Sequence, residues 1–279
     1  MKKTTAIWAV ACLALTSCYE TELIDANDVT FHLSVEGLTQ EQLTRAGETP
    51  ELKTPTNILV LDLHAGRVTP TVKSSLAAVT MPLQYGVHDL YFVASPVAWS
   101  SYSADNLTVT WPNDGSMTAV WAYHYQIEVD EETSFEDIVL PLVVADVRVK
   151  TLDKMPANTA VALIEAPDVR STLDLETMQA VASSDGFTRQ IDVSGRADGT
   201  LGFTTNIYTF VPSSGKVGDI SITFYSDQQK TAEIATRTLS AVPVTPGYIS
   251  NYSGYFFSDG ISIPISYTTD WLGTYEFSY

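Results

Sequence analysis

Cysteine is nearly missing from this chain: Cys12 and Cys18 are the only two in 279 residues. Both fall within the first eighteen positions, which excludes a disulfide framework, a cysteine metal site or a catalytic thiol further on. Long apolar runs are scarce as well. Residues 6–15 form one, too short to span a bilayer as a mature helix, and no later stretch is long and apolar enough to do so. Positive charge is sparse: 15 Lys and Arg stand against 33 Asp and Glu, a net charge of −18. A surface of that sign repels phosphate, so nucleic acid and anionic lipid are set aside as partners.

The motifs of catalysis are also missing. There is no His-Glu-x-x-His, no Gly-x-Ser-x-Gly and no Gly-x-Gly-x-x-Gly, and Gly215-Lys216 has neither the upstream glycine nor the following Ser or Thr of a phosphate loop. The four histidines, His32, His64, His88 and His124, sit on separate predicted strands or turns without ligand spacing. His32 and His88 are expected to face solvent, and His124, between Tyr123 and Tyr125, to lie on a sheet face. Asp130-Glu131-Glu132 offers oxygens of the kind calcium takes, but no partner spacing accompanies it, and an acidic surface turn is expected. The expectation is therefore a protein that is not an enzyme, with no catalytic residues, no metal and no cofactor.

What is present begins at the amino end. Met1-Lys2-Lys3 is basic, residues 6–15 are apolar, and Leu15-Thr16-Ser17-Cys18 follows, which is the order of a lipoprotein signal peptide cut before Cys18. Residues 1–17 are expected to leave, with Cys18 carrying the lipid, palmitate included. Thioether- and amide-linked chains on one residue hold a protein at a membrane, because each buried methylene contributes about 0.8 kcal/mol. The mature chain then has 262 residues, and loss of Lys2 and Lys3 takes the net charge to −20. Residues 18–27 are acidic and without periodicity, a tether between lipid and fold.

From residue 28 onward the pattern is period-2 alternation broken by turns, which predicts an all-β protein. Val29, Phe31, Leu33 and Val35 share one face of the first strand. Residues 58–63 lead into the turn His64-Ala65-Gly66, and residues 79–83 and 88–94 flank Tyr85-Gly86. Residues 138–149 form one long apolar run, and residues 173–182 read as a short helix or a loop strand. Later strands are expected at 159–164, 201–211, 219–225, 232–244, 248–257 and 261–267. At the end, Tyr275, Phe277 and Tyr279 share a face. A short echo links residues 82–92 with 243–252, each a strand, a glycine turn and a strand with aromatics. At this length two β-sandwich domains are expected, 28–145 and 146–279. Trp99, Tyr102, Trp111, Trp121, Tyr123 and Tyr125 cluster in sequence. They suit a sandwich core, or an exposed face that stacks on sugars or a partner protein.

Taken in order, these features resemble the fimbrillin superfamily of type V pili, with its stalk, tip and membrane-anchor subunits. The resemblance rests on the lipobox ending at Cys18, the strand at 29–35, and Leu43-Thr44-Arg45-Ala46. It continues through residues 58–66, the 85–94 hairpin, residues 208–214 and residues 246–257. It implies two tandem transthyretin-like β-sandwich domains, export as a lipoprotein of the cell outer membrane, and assembly into a fimbrium by β-strand exchange. An arginine-specific cut between Arg45 and Ala46 would release Val29, Phe31, Leu33 and Val35, and a strand carrying Tyr275, Phe277 and Tyr279 would be the donor. Partners would be other fimbrial subunits, the outer membrane through lipid, and a host or bacterial surface ligand in cell adhesion. The alternative is a surface lipoprotein that binds glycans or another ligand through exposed aromatics.

Overall fold

The computed structural model describes residues 26–37, 52–182, 186–195 and 202–258, and the structural statements concern those residues. They form an all-β protein of twenty strands. The first nine are β1 (Ala26–Val35), β2 (Asn57–His64), β3 (Arg67–Lys73), β4 (Val79–Gln84), β5 (Gly86–Ser95), β6 (Ser101–Ser103), β7 (Thr108–Thr110), β8 (Trp121–Val129) and β9 (Phe135–Leu140). Then follow β10 (Val144–Thr151), β11 (Val161–Ala166), β12 (Thr172–Asp174), β13 (Gln179–Ala180), β14 (Phe187–Asp192) and β15 (Thr204–Phe210). The last are β16 (Lys216–Val217), β17 (Ile220–Tyr225), β18 (Glu233–Leu239), β19 (Val242–Pro243) and β20 (Ile249–Gly254).

One arrangement occurs twice. A three-stranded sheet, β4–β1–β9, shares a core with the four-stranded sheet β3–β2–β5–β8. Phe31 of β1 meets Phe92 of β5 across that core, edge to face at 5.3 Å. In the second half, β15–β10–β20 and β14–β11–β17–β18 repeat the plan. β1 runs antiparallel to β4 and parallel to β9, and β10 runs antiparallel to β15 and parallel to β20. The repeat therefore equates β1 with β10 and β9 with β20. The echo in sequence instead aligned β4–β5 with β19–β20, which hold different places in the plan.

Local chemistry explains the elements. β4 alternates strictly between buried and exposed, with Val79, Met81 and Leu83 inside. Ala65 (φ 49°) and Gly66 (φ 76°) form the two-residue link between β2 and β3, where two positive φ values match the twist of a tight hairpin. The apolar run at 138–149 is two strands, not one. Pro141 offers no N–H for a ladder, and Leu142 bridges back to Trp121 before β10 starts. Residues 173–182 hold the short pair β12–β13 and no helix. They leave the second half to extend β6–β7, with Thr110 and Thr172 hydroxyls 3.0 Å apart across the seam. Trp111, stacked obliquely on Phe210 at 5.3 Å, is buried at the same seam.

Candidate functional site

Two places stand out, and both involve the edge where β9 lies. The first is the slot that β1 fills. Its first six residues pair with β4 and its last six with β9, overlapping only at Thr30 and Phe31. β1 is thus a stitch: without it, β4 and β9 have no common partner. Val29 and Phe31 are fully buried, Leu33 is 8% exposed and Val35 is half-buried. Burying three such side chains contributes roughly 6 kcal/mol. The exit is pinned as well, because Glu36 donates its N–H to Leu140 O at 3.0 Å and Trp121 Nε1 donates to Glu36 O at 2.9 Å. At the entry, the Asn27 amide donates to Asp130 O at 3.3 Å and to Thr133 O.

The second place is a cleft where β9 diverges from β8. Ala122 N–H donates to Pro141 O and Val143 N–H donates to Val120 O at one end, and the turn at 130–134 links the two strands at the other. Between these ends, Tyr123 and Tyr125 point from β8 into the gap, with ring centres 6.4 Å apart and planes 28° from parallel. Residues 137–139, Pro141 and Glu36 complete a cleft of about 350 Å³. Tyr123 is 40% exposed and Val139 57%, while Ile138 forms an apolar floor. Burial, together with the carboxylate of Glu136 and a hydrogen bond to it, raises the Tyr125 phenol above its ordinary range.

The remaining aromatics do not assemble into one face. Trp111 and Trp121 are core residues, Trp99 is partly buried against that core, and Tyr102 stands exposed on β6. His124 stacks on Tyr91 at 4.5 Å and bonds Asp89 at 2.9 Å, on the opposite face of β8 from the two tyrosines. His32 is exposed as expected, but His88 is 1% exposed, which overturns the expectation of a solvent-facing residue. Its Nδ1 lies 2.7 Å from Asp62 Oδ1, its Nε2 lies 2.8 Å from Gln84 O, and His64 stacks on it at 4.1 Å. Both ring nitrogens are satisfied, which is what makes the burial tolerable.

Electrostatics mark three carboxylates. Asp130 binds the amides of Glu132 and Thr133 and the Thr133 hydroxyl, which lower its pKa, so the turn uses its own acid. Among the described residues no group of acidic, histidine or cysteine side chains is placed to hold a metal. Asp153 accepts the N–H groups of Phe256, Phe257 and Ser258. Burial alone would raise its carboxyl, and those amides outweigh it and hold the pKa low, fastening the chain just after β20. Asp146 on β10 is fully buried. Arg148 Nε donates to its Oδ2 at 2.7 Å, and Oδ1 has no partner. Burial pushes its carboxyl up to about 6 despite the arginine. Tyr208, opposite it on β15, is raised by burial and then by the charge of Asp146.

Of the sequence-derived site residues, Val29, Phe31, Leu33 and Val35 come together in the slot. Cys18, Arg45, Ala46, Tyr275, Phe277 and Tyr279 lie outside the described residues. Glu36, Asp137 and Val139 escaped sequence reasoning, because nothing local announces that they meet Tyr123 and Tyr125 in space.

No family model matches the chain, and no curated protein matches it. Solved structures do. A candidate adhesin from Bacteroides ovatus aligns with TM-score 0.56 and 12% identity over 90% of this chain and 95% of that one. A candidate polysaccharide-binding protein from Bacteroides thetaiotaomicron gives 0.52 and 10% over 89% and 98%. The fimbrial anchor protein Mfa2 from Porphyromonas gingivalis gives 0.45 and 10% over 82% and 90%, too low to build on. At such identities the likeness shows the fold: an all-β architecture with β-sandwich packing, held in common with adhesin-type proteins.

Proposed function

We propose that the protein is a non-enzymatic, lipid-anchored component of fimbriae at the cell outer membrane, built from two tandem transthyretin-like sandwiches, 28–145 and 146–279. It joins other fimbrial subunits by β-strand exchange. In this reading the signal peptide is removed, Cys18 carries the lipid, and a cut between Arg45 and Ala46 frees the segment that includes β1. The observation that carries the reading is the position of β1. It is the first strand among the described residues and the central strand of its sheet, bearing core side chains and bonded to a different neighbour along each half. Its loss opens two ladders and an apolar groove of matching length, which an incoming strand fills with the same hydrogen bonds. Tyr275, Phe277 and Tyr279 give the alternating apolar face that such a strand needs.

The test is complementation. Protein starting at Ala46 is mixed with a synthetic peptide of residues 26–37 or of residues 268–279, and folding is followed by near-ultraviolet circular dichroism. Recovery with both peptides supports exchange. Recovery with the 26–37 peptide alone leaves the slot real and removes the carboxyl end as its donor.

A second reading is a surface lipoprotein that binds a glycan or other ligand through aromatics. The cleft beside β9 favours it. The ring pair to consider is Tyr123 and Tyr125, since Trp111 and Trp121 are committed to the core.

A further inference from the structure

We infer that the cleft between β8 and β9 is a binding site for a neutral carbohydrate, with Tyr123 and Tyr125 as its stacking platform. This rests on the second, ligand-binding reading and holds whether or not β1 exchanges. Three observations lead to it. The cleft, about 350 Å³, lies within the size range of small-ligand sites. Two tyrosine rings line one wall, and their apolar faces complement the C–H face of a sugar ring. Glu36 and Asp137 border the opening, giving acceptors for hydroxyl groups.

The same features exclude other occupants. Two carboxylates on a protein of net charge −18 repel an acidic sugar or a phosphate. The paired tyrosine faces and the bordering carboxylates suit a compact ligand with an apolar face and many hydroxyls.

The experiment uses the full mature chain and saturation-transfer NMR. The probes are cellotriose, maltotriose and lacto-N-tetraose as neutral oligosaccharides, sialyllactose as an acidic one, and a peptide of residues 26–37. At least one neutral probe is expected to bind with a Kd on the order of 1 mM. Tyr123→Ala is expected to weaken it about tenfold. Tyr123→Trp, which keeps a ring on the same half-exposed site, is expected to retain binding, and Tyr102→Ala, on β6, to change nothing. Matching circular dichroism spectra establish that the variants fold. Binding that survives Tyr123→Ala but fails in Tyr102→Ala overturns this site and spares the ligand-binding reading. Absence of binding by every neutral probe overturns both, and binding of the peptide or sialyllactose alone overturns the carbohydrate assignment.

Discussion

Replacing Asp146 with asparagine should make the protein more resistant to unfolding at neutral pH and little different near pH 4. Asp146 is fully buried, with one carboxylate oxygen on Arg148 and the other without a partner. Desolvation raises its pKa from 3.8 to about 6 in the folded protein, the arginine offsetting only part of it. Between those values the native state holds a proton that the unfolded chain has released. Stability from this group therefore falls as pH rises through the window, the reverse of an ordinary salt-bridged aspartate. A displacement of about two pK units corresponds to about 3 kcal/mol. Asparagine keeps the shape and cannot ionise, so the variant escapes the loss. Urea unfolding of both proteins at pH 4, 5, 6 and 7.5 gives the difference in stability, and titration of all other groups cancels in it. The variant's advantage should grow by about 3 kcal/mol across the series. A difference constant within about 0.5 kcal/mol would refute the assignment of a buried, under-satisfied carboxylate.

Phe31→Ala empties a fully buried ring site in the centre of the first sandwich and should cost about 3–5 kcal/mol in urea unfolding. His88→Ala leaves the Asp62 carboxylate and the Gln84 carbonyl without their shared donor. It should cost about 1–3 kcal/mol, with amide exchange accelerated first in the β4–β5 hairpin. Were His88 solvent-facing, the same change would have little effect.

Strands with one apolar face were legible in the residues. Val29, Phe31, Leu33 and Val35 alternate, and β1 follows them. Two edge strands, β3 and β14, were not. β3 is mostly exposed and carries Pro70, while β14 (Phe-Thr-Arg-Gln-Ile-Asp) shows little apolar alternation, so neither presents the pattern that marks a half-buried strand. His88 is instructive in another way. It shares parity with Leu90, Phe92 and Ala94, which alone puts it inside, but the residue that makes this affordable, Asp62, is twenty-six positions away. The cleft was illegible for the same reason: Tyr123 and Tyr125 were visible as a pair, whereas the opposing residues of β9 enter through the fold. The lipid site and the arginine are matters of sequence pattern only.

The central claim, release of the first strand and its replacement by another subunit's, is met most directly by sequencing the amino terminus of the protein recovered from assembled surface filaments. The account predicts chains beginning at Ala46 and no peptide covering residues 29–35, with Arg45→Ala blocking both the cut and incorporation. Filament-borne chains that keep an acylated Cys18 and an intact Arg45–Ala46 bond would contradict it.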